Sequence, residues 1–260
     1  MSDLWQTLVL GVIEGITEFL PISSTGHLLI AEHWLGQRTE LFNVAIQAGA
    51  ILAIVFIYWR RLLTLFSEQQ DPRNRDYLAK LTVAFLITAV GGFIATKHGF
   101  KLPETIKPIA WAMLIGGIAI LVIERLLANR PLVTDVTWRV AVCVGLGQIV
   151  AGILPGTSRS AATIFAAMLA GLTSRPAATE FAFLVGIPTM FAATGYELLK
   201  VRSQAASEDW TALAIGFVVS GVVAFVAVKW LLRYIQSHRF TVFAWYRIAL
   251  GLALLLGGMD

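Results

Sequence analysis

The stretch Glu14-Gly-Ile-Thr-Glu18-Phe-Leu-Pro21-Ile-Ser23-Ser24-Thr25-Gly26-His27 interrupts an apolar block that runs from Leu4 to Trp34. A second block, Val140 to Leu172, is interrupted in the same way by Leu154-Pro155-Gly156-Thr157-Ser158-Arg159-Ser160-Ala161-Ala162-Thr163. Proline stops a helix, and a run of hydroxylated residues cannot face lipid. Each block therefore reads as two half-helices that enter and leave on the same side, with the polar turn buried in protein or lining a watery cavity.

Around these two hairpins the chain is built for lipid. Of its 260 residues 57% are hydrophobic and 14% charged, and the mean hydropathy is +0.76; an ordinary soluble domain carries roughly 25% charged residues. Complete crossings are expected at about Phe42 to Trp59, Leu81 to Lys97, Pro108 to Ile123, Ala178 to Leu199, Trp210 to Leu232 and Val242 to Gly258. The fold class is thus an all-α polytopic membrane protein, with six transmembrane helices and two re-entrant helical hairpins in a single membrane domain. The polar segment Ser67 to Lys80 reads as a loop. Asp3 is the only charge in the first 13 residues and no small-residue cleavage site follows, so the first apolar stretch is expected to stay in the mature protein.

The net charge of +4 does not imply a nucleic-acid partner, because the basic residues sit in short loops between apolar blocks. On the side bearing the termini lie Arg38, Lys97, Lys101, Lys107, Lys200 and Arg202, which is six. The other side carries twelve: Arg60, Arg61, Arg73, Arg75, Lys80, Arg125, Arg130, Arg139, Arg175, Lys229, Arg233 and Arg239. The positive-inside rule makes the richer side cytoplasmic, so both termini and the mouth of the first hairpin are expected outside. The single cysteine, Cys143, excludes an intramolecular disulfide and reads as a packing residue. The eight tryptophans read as interfacial belts.

Sliding the sequence on itself by 134 residues places Gly11 on Gly145, Glu14 on Gln148, Leu20 on Leu154, Pro21 on Pro155 and Ser24 on Ser158. Each copy, about 1–130 and about 135–260, holds a hairpin and three crossings. An odd number of crossings turns the second copy over, giving an inverted-topology repeat whose broken helices meet at the functional site.

Glu14 and Glu18, four apart, share a helix face. In a low-dielectric setting two such carboxylates must share a proton, bind a cation or meet an opposing charge. After Pro21, Ser23, Ser24, Thr25 and Gly26 suit the start of a half-helix, whose free N–H groups bind phosphate. His27 reads as a general base or a nucleophile, and Ser23 or Ser24 supplies a hydroxyl able to attack phosphorus. In the second stretch Gly156 permits close backbone approach, Thr157, Ser158, Ser160 and Thr163 offer hydroxyls, and Arg159 lies in mid-block. A guanidinium there needs an anion, either substrate phosphate or, as a structural salt bridge, Glu14 or Glu18. Gln148 is placed to hydrogen-bond across the repeat interface. Tyr246 and Arg247 either line the pocket from behind or, for Arg247, snorkel to the surface. Opposed helix starts, an arginine, hydroxyls and paired acids are the requirements of phosphoryl transfer.

These two strings closely resemble the signature motifs of the bacterial undecaprenyl-diphosphate phosphatase family, also called bacitracin-resistance proteins. EGITEFLPISSTGH falls at Glu14 to His27 and PGTSRS at Pro155 to Ser160. Spacing, length and hydropathy agree with that family over essentially the whole chain. The resemblance implies hydrolysis of undecaprenyl diphosphate to undecaprenyl phosphate and inorganic phosphate in the bacterial plasma membrane, recycling the carrier lipid for peptidoglycan synthesis and conferring bacitracin resistance. It implies a divalent cation, Mg2+ or Ca2+, held by Glu14 and Glu18. Carried over by position, Glu14 and Glu18 match the paired acids, Ser24 and His27 the hydroxyl and histidine, and Arg159 the phosphate-binding arginine. Ser158, Ser160 and Thr163 match the other polar positions. The sequence departs from the family pattern at Ala161, where glycine is usual.

A polyprenyl diphosphate and the surrounding membrane lipids are the expected partners, and a homodimer is compatible with the sequence without being specified by it. The competing reading is a transporter or flippase for a lipid phosphate or organic anion, since inverted repeats and broken helices also build secondary transporters.

Overall fold

A computed structural model describes residues 2–97, 105–201 and 209–257. Lys101, Arg202 and Gly258, used in the expectations above, lie outside the described residues. Among the described residues the chain is entirely helical: α1 (Ser2–Thr17), α2 (Ser24–Leu35), α3 (Glu40–Ile57), α4 (Trp59–Ser67), α5 (Pro72–Lys97), α6 (Ile106–Leu126), α7 (Trp138–Ile153), α8 (Arg159–Leu169), α9 (Arg175–Val201), α10 (Trp210–Tyr234) and α11 (Thr241–Leu256).

Five of these, α3, α5, α6, α9 and α10, contain apolar stretches long enough to cross a bilayer, so the protein is a polytopic helical membrane protein. The sixth expected crossing, α11, is an apolar helix of 16 residues, about 24 Å long at 1.5 Å per residue, against a hydrocarbon core of about 30 Å. Both interrupted blocks break where the prolines stand. The helix α1 ends before Pro21 and α2 begins at Ser24; α7 ends before Pro155 and α8 begins at Arg159. In each block the two halves pack against one another.

One local expectation is corrected. The segment read as a loop from Ser67 to Lys80 is helical from Pro72 onward, because proline at the first helical position forfeits no intrahelical donor. Lys80 then contacts Asp76 one turn earlier and donates to Val136 O at 2.7 Å. A short amphipathic helix, α4, also follows α3; it buries Leu65 while Trp59, Leu63 and Phe66 stay on the surface. Cys143 packs against the core, as expected. All eight tryptophans are exposed and stand within five residues of a helix end, where amphipathic rings meet headgroups.

Packing follows a two-fold pattern. Helix α1 packs on α10 as α7 packs on α5, α3 on α10 as α9 on α5, and α6 on α11. Small residues allow the closest approaches, since helices in lipid associate by close packing rather than by apolar burial. A Cβ built on Gly49 of α3 would stand 2.2 Å from the Phe217 carbonyl oxygen of α10. Gly49→Ala is therefore expected to cost about 1–3 kcal/mol, read as lowered resistance to unfolding in SDS. Gly152→Ala, where nothing lies within 4 Å, should not lower it.

At the end away from the hairpin turns, Glu124 closes the scaffold. It is 1% exposed, accepts from Arg175 through both carboxylate oxygens, and accepts from the Phe240 N–H at 2.9 Å. The starts of α9 and α11 are thereby fixed to the end of α6.

Candidate functional site

The two hairpin turns meet inside the protein. Each new half-helix is capped by its own serine: Ser23 Oγ accepts from Gly26 N–H at 3.4 Å and Ser158 Oγ from Ala161 N–H at 3.3 Å. These serines are the only non-glycine residues with positive φ among the described residues, at 74° and 69°. Holding an L-residue there costs about 1–3 kcal/mol, and such strain concentrates at functional sites. Gly156, with φ 83°, turns the second hairpin. A Cβ on it would stand 2.9 Å from Ile109 Cα, so glycine serves here both conformation and contact with α6.

Three residues join the turns. Ser160 Oγ donates to Leu20 O at 2.9 Å, and Arg159 Nη2 donates to Glu18 Oε1 at 2.8 Å. The third connection is Arg247 of α11, which is fully buried. Its Nη1 donates to Pro21 O at 3.3 Å and Thr157 O at 3.0 Å, and its Nη2 to Gly156 O at 3.0 Å and Ala112 O at 2.9 Å. Nε completes the set with Met113 O at 3.4 Å. Of the two sequence readings, snorkelling is thus replaced by a carbonyl cage that holds both turns against α6. Gly116 makes room for it: a Cβ there would lie 2.3 Å from Nη2.

Glu18 stands one residue past α1 but keeps the helical bond, its N–H donating to Glu14 O at 3.0 Å. Its side chain is fully engaged, with Oε1 on Arg159 and Oε2 accepting from the Ser24 hydroxyl. Glu14 is 1% exposed, its carboxyl meets that of Glu18, and its Oε2 has no hydrogen-bond partner. Arg159 keeps 24% of its side-chain surface accessible while paired with Glu18. Glu14, Glu18, Ser24 and Arg159 therefore form one constellation contributed by both hairpins.

His27 is bonded away from Ser24. Nδ1 lies 2.7 Å from Ser23 O, which can only accept, so Nδ1 carries the hydrogen. In the neutral ring Nε2 then accepts from Tyr246 Oη at 2.6 Å, and the two rings stack with centroids 5.6 Å apart. Ser24 gives its hydrogen to Glu18 and not to His27.

Several other expected residues support the turns. Gly26 is buried, with Ile109 and Met113 side chains where a Cβ would stand. Thr163 donates to Arg159 O at 2.8 Å and lies within reach of Ser160 O at 3.2 Å, inside its own helix. Ser158 Oγ lies 3.0 Å from Ser160 Oγ. Thr157 contributes its backbone carbonyl to Arg247. Gln148 reaches the other half of the chain, donating to Thr88 of α5 at 2.9 Å, and also donates to Thr189 at 3.3 Å. It borders, with Arg159 and Thr163, a cavity of about 10 Å³, the size of one water molecule.

A larger cavity of about 290 Å³ opens on the other side of the acids, between α1, α2 and α3. Glu14, Ser24 and Thr25 line one part, and Glu32, Asn43 and Gln47 another. The last three were not anticipated. The signal available was the pair Asn43 and Gln47, four apart in an otherwise apolar crossing, which puts two amides on one helix face.

Comparison with known proteins gives a single answer. The family model described as bacitracin resistance protein BacA matches residues 7–253. A protein named undecaprenyl-diphosphatase from Rhizobium etli is 66% identical over 255 residues, covering 97% of this chain and 96% of that protein. One of the same name from Xanthomonas oryzae pv. oryzae is 58% identical over 258 residues, covering 98% and 97%. With both hairpin motifs inside the matched region, the chain belongs to the bacitracin resistance protein BacA family.

Proposed function

We propose that this protein hydrolyses undecaprenyl diphosphate to undecaprenyl phosphate and inorganic phosphate, recycling the carrier lipid for peptidoglycan synthesis and so conferring bacitracin resistance. The observation that carries the reading is the Ser24–Glu18–Arg159 chain, which joins a hydroxyl, a carboxylate and a guanidinium from two hairpins. Relatives named undecaprenyl-diphosphatase at 58–66% identity supply the substrate class.

Arg159 matches phosphate oxygens bidentately, and a phosphate that engages it competes with Glu18 for the same donors. Glu18, released from the ion pair, then takes the Ser24 proton. Ser24 Oγ forms a bond to the terminal phosphorus as the bond to the bridging oxygen breaks, and undecaprenyl phosphate leaves. Hydrolysis of the phosphoserine by water restores Ser24. His27, held by Ser23 O and Tyr246, fixes the turn that presents Ser24. The strained caps aim the first N–H groups of α2 and α8 toward the developing charge.

A divalent cation fits this site. The unpartnered Glu14 Oε2 is a hard oxygen donor beside a second carboxylate, and Mg2+ is commonly bound by one or two carboxylates plus substrate phosphates. Glu14 would hold it, and when bound it would neutralise phosphate charge.

The two-fold packing and the paired serine caps support six crossings, two re-entrant hairpins and an inverted repeat of about 1–130 and about 135–260. The distribution of twelve basic residues against six supports a bacterial plasma-membrane orientation with both termini and the catalytic mouth outside.

The decisive assay is phosphate release by purified protein in detergent, where no gradient exists. Wild type is expected to turn over repeatedly, and Ser24→Ala to lose roughly 10³-fold or more, as nucleophile removal does elsewhere. Flux of lipid phosphate in liposomes without hydrolysis would instead establish the transporter reading.

A further inference from the structure

The cavity between α1, α2 and α3 has an acidic and amide lining that an anionic headgroup cannot occupy unaided. Glu14 and Glu32 contribute carboxylates, Asn43 and Gln47 amides, Ser24 and Thr25 hydroxyls, and among the described residues no lysine or arginine lines it. The nearest cations act from outside, Arg159 on Glu14 and Arg38 on Glu32. Two of its lining residues each carry a buried oxygen without a hydrogen-bond partner, Glu14 Oε2 and Asn43 Oδ1. Asn43 Nδ2 donates to Glu32 Oε1 at 3.0 Å, which fixes the amide with its oxygen left over. By contrast, Glu18 has both oxygens taken.

We infer that the divalent cation is held on the α3 side of Glu14, by its carboxylate with the side-chain oxygens of Asn43 and Gln47, and not between Glu14 and Glu18. Glu32 orients Asn43 from behind, the role outer partners play in metal sites. Oxygen-only donors at an incomplete site suit a hard cation that takes its remaining ligands from water and substrate phosphate. This deepens the phosphatase reading and rests on it: a cation there stands beside Ser24, on the opposite flank from Arg159, so a diphosphate would be neutralised from two sides.

The test is Mn2+ binding to the full chain in detergent without lipid substrate, followed by electron paramagnetic resonance, with phosphate release measured in parallel. Wild type is expected to bind at one site. Asn43→Leu and Gln47→Leu should weaken binding by about 10–100-fold and raise the cation concentration for half-maximal release by a similar factor. Asn43→Asp, which keeps an oxygen and adds charge, should bind at least as tightly as wild type and shows that the position tolerates substitution. Wild-type affinity in both leucine variants, with binding lost in Glu18→Gln, would overturn the inference. So would phosphate release that persists in chelator with no Mn2+ bound, which leaves the phosphatase reading intact. Mn2+ binding that depends on Asn43 and Gln47 in a protein releasing no phosphate would uphold the site and overturn the phosphatase reading.

Discussion

Arg159→Ala is expected to lower phosphate release from undecaprenyl diphosphate by roughly 100- to 1000-fold or more, the range seen when one preorganised donor to a developing anion is removed. Two losses combine. The phosphate forfeits a planar fork of donors, and Glu18, only 8% exposed, is left with Ser24 and a neighbouring carboxyl but no opposing charge within its constellation. Removing one member of a buried pair leaves such a charge uncompensated. Arg159→Lys keeps the charge without the fork and should fall between wild type and alanine. Steady-state release by purified variants, with retained helicity as a control, checks this ordering. Activity of Arg159→Ala within a few-fold of wild type would remove the guanidinium from the chemistry.

Arg247→Met should be the most destabilising single change in the hairpin region. Methionine keeps an unbranched apolar stem but removes five donor contacts to backbone carbonyls drawn from both turns and α6. A buried acceptor left unsatisfied costs about 1–3 kcal/mol. With relaxation and shared partners, the expected loss is on the order of 3–5 kcal/mol, measured as a shift in resistance to SDS unfolding. Because Pro21 O, Gly156 O and Thr157 O are fixed by one side chain, the variant should also lose activity through misplacement of Ser24 relative to Arg159. Arg247→Lys should recover part of the stability and less of the activity, since an ammonium has three donors and no planar fork. Unchanged stability in Arg247→Met would show that the turns hold each other without it.

The breaks in the first and second apolar blocks were legible because their cause is local. Proline ends a helix wherever it stands, and Ser23 and Ser158 cap the next one through bonds within three residues. The pairing of Arg159 with Glu18 was also within reach, since a guanidinium and two carboxylates in apolar surroundings have few other partners. What depends on distant segments was not. Arg247 finds carbonyls 90 and 226 residues away, and hydropathy treats every carbonyl alike. His27 is bonded to Tyr246, 219 residues on, a partner that proximity in sequence does not reveal. Asn43 and Gln47 went unweighted because two amides scarcely alter the apolar character of α3. The loop expected after Ser67 became helix because polarity, which marks the end of a membrane span, does not mark the end of a helix.

Convergence of both hairpins on one reacting group is tested most directly by a double-substitution cycle on Glu18→Gln and Arg159→Lys, with kcat/KM for phosphate release from undecaprenyl diphosphate measured in detergent. If the two residues act on the same phosphate and on each other, the double variant should lose far less than the product of the two single losses, a coupling of about 0.5–3 kcal/mol. Losses that simply multiply would place Glu18 and Arg159 in separate roles and contradict the shared site.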